Sequence, residues 1–358
     1  MAPSDSRDVG PELIDRFKWE PGLDVLRALA VLHVMLYHAG GEGWIGFWGV
    51  DLFFVLSGFL ITTVLLKEIR RRGGLNLPRF YVRRVLRLYP ALAVLLVVGT
   101  FAWFMDWLPC DPDVFQRSTT AAIFYVLNLF VAVDKSTYSG WGHLWSLCIE
   151  EQYYLLWPAT LWWISRRRRP LAWGTGLLVL STLWLLSLLL HVSNNAHRIY
   201  YATDARAMEL LAGSVCALLP LGLNPASLGR VLAWADRRAG LVLLALVGYS
   251  FLPTIPWRLV LFGHMVIMSV GTSVVLLSLA YGANRRLSGL LSRPWLIYVG
   301  RLSYSLYLWN WPIALLLERR ALPIPSGLAS FVLTVLCAMV SYHAIEQPVA
   351  RRFLTAKA

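Results

Sequence analysis

Arg27 and His38 stand inside LDVLRALAVLHVMLYHAG, residues 23–40, the first long apolar stretch of the chain. They are 11 residues apart. At about 100° per residue that separation is about 20° more than three full circles, so a helix puts both on one face, on the order of 16 Å apart along its axis. Ionisable side chains in an apolar span are expensive and mark functional sites by default. A guanidinium offers a planar fork of donors suited to phosphate, and a neutral imidazole is a base matched to work near pH 7. The pair predicts a site running vertically along one helix, with a cation near one end and a base deep inside.

Six further stretches carry residues able to join it. In WIGFWGVDLFFVLSGFLITTVLL (44–66), Asp51 falls near the depth of His38 and either charge-stabilises that imidazole or caps a helix start. Ser57 is a polar group in apolar surroundings, and Gly49 and Gly58 suit close helix packing. In LPRFYVRRVLRLYPALAV (77–94), Arg84 and Arg87 share a helix face at the membrane surface while Arg83 points elsewhere. The two form a phosphate clamp or serve as topology signals touching lipid headgroups. WGHLWSLCIEEQYYLLWP (141–158) places His143 in an outer loop and Glu150, Glu151 and Gln152 at a span start. Adjacent carboxylates point apart, so one can line a polar cavity while the other reaches the interface. In IYYATDARAMELLAGSVCALL (199–219), Thr203 or Asp204 can cap a helix and Arg206 can pair with Glu209, or Arg206 faces an aqueous cavity and binds substrate. GRLSYSLYLWNWPIALLL (300–317) holds Arg301, Ser303, Tyr304, Tyr307 and Asn310, with Trp309 and Trp311 suited to an outer aromatic belt. AIEQPVARRF (344–353) ends with Glu346 at the interface, expected to pair with an arginine.

These residues need a membrane bundle to position them. The chain is 58% hydrophobic and 15% charged over 358 residues, which excludes an ordinary soluble domain. Apolar runs of spanning length recur, so the fold class is all-α, a polytopic bundle of about ten transmembrane helices. The expected spans are 23–41, 48–66, 88–105, 144–165, 171–190, 204–222, 240–253, 259–281, 295–317 and 326–344. One set of connections and tails holds Arg7, Arg16, Lys18, Lys67, Arg70, Arg71, Arg72, Arg79, Arg83, Arg84, Arg87, the run 166–169, Arg230, Arg237, Arg238, Arg285, Arg286, Arg293, Arg351, Arg352 and Lys357. The opposite set has only Arg117, Lys135, Arg198, Arg258, Arg319 and Arg320, which puts both termini in the cytoplasm. Segment 115–133 has an apolar run but breaks that alternation if it crosses, so a re-entrant or partly inserted outer helix is expected. Residues 1–22 read as a cytoplasmic tail without a signal peptide, 23–345 as the membrane domain and 346–358 as a second tail. The net charge of +13 follows from topology and does not call for nucleic acid. Cys110, Cys148, Cys216 and Cys337 have no metal-ligand spacing, so neither zinc nor a disulfide framework is expected.

Taken together, the stretches resemble the acyltransferase-3 family of integral-membrane O-acyltransferases, over roughly 23–353 and in the family's order. LDVLRALAVLHVMLYH is similar to its Arg-x10-His first helix, GVDLFFVLSGFLIT to its second, and RFYVRRVLRLYP to its Arg-x-x-Arg loop. WSLCIEEQYYLLWP is similar to its Glu-Glu-Gln segment and TDARAMELLAG to its later Arg helix; GRLSYSLYLWNWP and IEQPVARRF complete the set. The resemblance implies transfer of an acyl group, often acetyl, from cytoplasmic acyl-CoA to a hydroxyl, usually on a carbohydrate. It implies acyl-CoA as donor substrate, with no permanently bound cofactor. Arg27, Arg84 and Arg87 are then expected to hold CoA phosphates and His38 to act as general base, with Glu150 or Asp51 stabilising the imidazolium. Arg206, Asp204, Glu151, Ser57, Asn310 and Tyr307 are the expected substrate contacts. One departure stands out: many members read LWHWP where this chain has Asn310 in LWNWP, and an amide cannot shuttle a proton. With no soluble domain expected after the spans, the acceptor is met at the membrane domain. Alternatives are tailoring of a secondary metabolite such as a macrolide by the same chemistry, and a transporter or flippase of an acylated or anionic substrate.

Overall fold

The computed structural model describes residues 9–17, 20–39, 48–108, 110–134, 136, 138, 140–191, 196–249, 257–282, 285–318 and 323–354. Of the charges used for topology, Arg7, Lys18, Lys135, Arg319, Arg320 and Lys357 lie outside the described residues, as do the side chains of Arg16, Arg258, Arg285 and Arg286. The ends of the expected spans 23–41 and 240–253 lie outside them too.

Every regular element among the described residues is helical. In chain order these are α1 (Val9–Arg16), α2 (Pro21–His38), α3 (Trp48–Arg72), α4 (Leu77–Phe104), α5 (Pro112–Ile123), α6 (Leu127–Val133), α7 (Trp145–Ser165), α8 (Pro170–His191), α9 (Ala196–Tyr201) and α10 (Thr203–Gly222). α11 (Pro225–Tyr249), α12 (Trp257–Tyr281), α13 (Arg285–Leu290), α14 (Pro294–Glu318) and α15 (Ser326–Ser341) follow, the last continuing through wider π-type turns to Phe353. Six are long and apolar enough to cross a membrane: α3, α4, α8, α10, the described part of α12, and α15 with its continuation. α2, α7, α11 and α14 have the length, at 18, 21, 25 and 25 residues, but internal charges and polar aromatics lower their hydropathy.

Several features differ from the expected layout; α11 begins 15 residues ahead of its expected span and carries Arg230, Arg237 and Arg238 on helix. The Arg-x-x-Arg stretch, a loop by the family resemblance, lies on helix, as the shared face of Arg84 and Arg87 requires. Asn76 accepts a hydrogen bond from the Arg79 amide (3.0 Å) and Pro78 sits in the first turn, so α4 begins 11 residues ahead of the expected span and carries Arg83, Arg84 and Arg87 on helix. The apolar run 115–133 is broken into α5 and α6, of 12 and 7 residues, by Tyr125 in the left-handed region (φ 53°). Neither piece is long enough to cross a membrane. The N-terminal stretch, expected to be a plain tail, instead docks α1 on the bundle. Ile14 is fully buried, and Arg70 and Asp15 form an ion pair at 2.8 Å.

Glycines fix how closely the site-bearing helices approach. A Cβ built on Gly300 would stand 1.9 Å from the Asp24 carbonyl oxygen, and one on Gly49 2.3 Å from that of Ala30, so α2 is clasped between α14 and α3. α3 and α10 meet reciprocally: the same test puts Gly58 1.9 Å from the Leu210 oxygen and Gly213 1.8 Å from the Val55 oxygen. Both obstacles are backbone and cannot rotate aside. Gly58→Ala is expected to destabilise the protein by about 1–3 kcal/mol through overpacking, read as a lower thermal unfolding midpoint in detergent. An unchanged midpoint would show that the two helices can part freely.

Candidate functional site

α2, α3, α4, α7 and α14 enclose a cavity of about 400 Å³. Arg27, Arg83, Arg84 and Arg87 line it together with Ser57, Glu150 and Tyr307. Arg83 was expected to point elsewhere; it reaches the cavity from an exposed position, because the wall wraps around α4. Arg84 is held hardest. Its Nε and Nη2 donate to one Glu151 oxygen at 2.9 and 2.7 Å, and its guanidinium lies 3.7 Å from the centre of the Tyr154 ring. Arg27 donates from Nε to Ser303 Oγ at 3.2 Å, and Ser57 Oγ donates to Glu150 Oε1 at 2.7 Å. Arg87 has no carboxylate within ion-pair distance among the described residues, while Arg27 and Arg84 stand close enough to repel it. Four guanidinium groups against Glu150 and Glu151 leave the cavity net positive. Such a chamber is electrostatically suited to a polyanion.

The cavity stops below the histidines. On α14 its wall reaches Tyr307, and Asn310 lies three residues further on; on α7 it reaches Ser146, and His143 lies three residues further out. Tyr307 and Ser146 hydroxyls meet at 2.7 Å across that end, and the Tyr307 hydroxyl also donates to the His143 carbonyl. Beyond them His38 Nδ1 sits 2.5 Å from Asn310 Oδ1, and the His38 ring packs 4.7 Å from the Trp311 ring. An amide oxygen only accepts, so Nδ1 carries the hydrogen and a neutral His38 keeps its lone pair on Nε2. His143 closes the layer, its Nε2 donating to the Leu308 carbonyl at 3.1 Å.

Asp51 is not beside His38. Its carboxylate is fully buried, with Oδ1 3.1 Å from Arg206 Nη2 and Oδ2 3.3 Å from His264 Nε2. Arg206 Nη1 reaches Glu209 Oε1 at 3.2 Å, and Phe54, Trp145 and Tyr200 surround the guanidinium. Arg206 therefore faces a closed ion cluster among α3, α10 and α12 instead of an aqueous cavity. The cause is electrostatic: a buried carboxylate goes to the strongest cation in reach. Glu150, the other expected partner of the imidazolium, belongs to the arginine cavity. The partner that His38 has is Asn310.

The remaining expected contacts are spread out. Glu151 is engaged by Arg84. Asp204 pairs with Arg198 at 2.6 Å and accepts from Trp184 Nε1 at 2.8 Å on the rim, away from the cavity. Neither it nor Thr203 caps α10, whose cap position is Ala202. Thr203 instead joins Gln152 (2.5 Å) and Asn128 (2.9 Å), while the Gln152 amide donates to the Tyr125 carbonyl at 2.8 Å, tying the broken segment to α7 and α10. Glu346 accepts from Ser305 and lies within electrostatic reach of Arg87 and Arg27 without an ion pair to either. Sequence reasoning passed over His264, although a histidine in an apolar helix is itself a signal. It also passed over Ser146, which carried none.

The acyltransferase-3 family model, described as an acyltransferase domain, matches residues 20–343. Among curated proteins the chain is similar to O-acetyltransferase OatA of Staphylococcus aureus strain NCTC 8325 / PS 47, at 32% identity over 94% of this chain. The same protein of strain COL matches equally. The chain spans 58% of the length of these relatives. No solved structure matches it. With nearly the whole bundle covered, the chain belongs to the acyltransferase-3 family.

Proposed function

We propose that the protein is a membrane O-acyltransferase that moves an acyl group, acetyl first among candidates, from cytoplasmic acyl-CoA to a hydroxyl of a carbohydrate or glycosylated acceptor. One observation carries this reading: the wall of a net-positive cavity reaches Tyr307, one helical turn before the Asn310 whose amide oxygen holds His38 Nδ1. In this reading the ten long helices all cross, both termini are cytoplasmic, and the arginine cavity opens to the cytoplasm of a bacterial cell membrane. The CoA phosphates lie on Arg27, Arg84 and Arg87, and the pantetheine arm runs along α2 toward His38. His38 Nε2 takes the proton of the acceptor hydroxyl as its oxygen attacks the thioester carbonyl. The carbon–sulfur bond breaks, and the thiolate leaves to be protonated. The similarity to O-acetyltransferases supports acetyl and oxygen as the group and atom.

Purified protein is expected to release CoA thiol from acetyl-CoA, and mass spectrometry of cells with and without the gene is expected to show one added acetyl on a glycosylated product. Acetyl-CoA that is neither bound nor consumed would overturn the reading. Arg87, which has no ion pair among the described residues and is crowded by Arg27 and Arg84, gives a sharper check. Arg87→Ala is expected to raise KM for acetyl-CoA about 10- to 100-fold, the loss of one charge-assisted contact, with kcat changed much less. An unaltered KM would remove Arg87 from the donor site.

A further inference from the structure

The turn between α7 and α8 carries four consecutive arginines, Arg166, Arg167, Arg168 and Arg169, all exposed. Membrane topology needs positive charge at such a place. It does not need guanidinium groups to be fixed there, and two of these are. Arg166 lies over the Trp162 ring, 3.9 Å from its centre, and Arg167 over the Trp163 ring at 4.0 Å. Each pair is four residues apart, so the last turn of α7 sets both stacks. The Trp173 ring, from the first turn of α8, meets Trp163 edge-on with centres 5.1 Å apart. These three indoles are 38%, 41% and 48% exposed in chain order.

A guanidinium stacked by its face keeps its five N–H donors around its edge. Among the described residues, none of the four arginines has a side-chain hydrogen bond or a carboxylate within ion-pair distance. Arginines elsewhere do: Arg70 has Asp15, Arg84 has Glu151, Arg198 has Asp204 and Arg206 has Asp51. The sequence explains the contrast. No Asp or Glu occurs between Glu151 and Asp204. None occurs between Glu209 and Asp236 either, the stretch whose Gly222 packs against Leu171 beside the turn. Four cations are left without a counter-charge.

α8 is long and apolar enough to cross a membrane, and it starts at Pro170, next to the last arginine. The turn therefore stands at the end of a span, at the level of phospholipid phosphates, and exposed indoles prefer the same depth. Guanidinium edges match phosphate oxygens two at a time, and indole rings suit the boundary between headgroup and acyl chain.

We propose that the α7–α8 turn is a binding site for an anionic phospholipid, with the phosphate held by Arg166 and Arg167 and the glycerol region resting on Trp162, Trp163 and Trp173. Arg168 and Arg169 add attraction at longer range. The site shares no residue with the arginine cavity and does not depend on what that cavity binds.

The full chain in a neutral detergent is titrated with short-chain phosphatidylglycerol or phosphatidylcholine, and bound lipid is counted by native mass spectrometry. Wild-type protein is expected to bind phosphatidylglycerol about tenfold tighter than phosphatidylcholine. Arg166→Gln with Arg167→Gln is expected to weaken phosphatidylglycerol binding about 10- to 50-fold, the loss of two cations at a membrane surface, while Arg168 and Arg169 preserve the topology signal. Arg166→Lys with Arg167→Lys keeps the charge but loses the planar fork, and is expected to regain only a minor part of the affinity. Wild-type affinity in the lysine variant would show that bare charge suffices and overturn the stacked site. Equal binding of the two lipids by wild-type protein, or an unaltered affinity in the glutamine variant, would overturn it as well. Should the glutamine variant fail to fold, the lysine variant and the comparison of lipids on wild-type protein decide.

Discussion

Replacing His38 by alanine is expected to lower acyl transfer from acetyl-CoA by about 10²- to 10⁴-fold, the range of a positioned general base. Little in the layer can substitute. His38 has one polar side-chain partner among the described residues, Asn310, and an amide neither gives nor takes a proton on the catalytic time scale. The carboxylates that might have served are committed elsewhere, Asp51 to Arg206 and His264, Glu150 to Ser57 and the arginine cavity. The substitution should be mild structurally, because His38 is the last residue of α2 and is only half-buried. The unfolding midpoint is therefore expected to stay near wild type while turnover collapses, and KM for acetyl-CoA to hold because Arg27 is three turns away. Asn310→Ala makes a graded companion: the imidazole keeps its lone pair but loses its orientation, so a smaller fall in kcat is expected. Wild-type turnover in His38→Ala would remove His38 as the base.

How far the sequence revealed this site depends on which physical rule each residue obeyed. Arg27 and His38 were legible because helix periodicity alone puts them on one face, and α2 is continuous from Pro21 to His38. Arg84 and Arg87 were legible for the same reason, and Gly58 because a glycine in an apolar helix marks a close approach. Each of the ten expected stretches holds a long helix, since hydropathy reports length well. Asp51 was misplaced because depth does not say which helix faces which. The bundle turns it toward α10 and α12, where Arg206 and His264 wait. Arg83 was misplaced because a cavity wall is curved and spacing on one helix does not show the curve. The break at Tyr125 left no glycine or proline to announce it, being held from outside by Gln152.

Arg206→Ala is expected to be the most destabilising single change in the bundle, by about 3–5 kcal/mol, because it strands two carboxylates away from water. Asp51, Arg206 and Glu209 are all fully inaccessible, with His264 the only other cationic candidate at the cluster among the described residues. The guanidinium also fills the space between Phe54, Trp145 and Tyr200, so truncation opens a cavity as well as removing the charge. Arg206→Lys should recover only part of the loss, since one ammonium cannot address Asp51 and Glu209 through separate nitrogens as the fork does. Removing the charges together is the informative contrast. Arg206→Met with Asp51→Leu and Glu209→Met leaves no stranded carboxylate and is expected to unfold well above the single Arg206→Ala variant, because buried ion groups are replaceable by apolar side chains of similar volume. Thermal unfolding followed by tryptophan fluorescence in detergent reads both. If Arg206→Ala melts with the wild type, the cluster contributes nothing to the fold, and its three charges must be retained for chemistry instead.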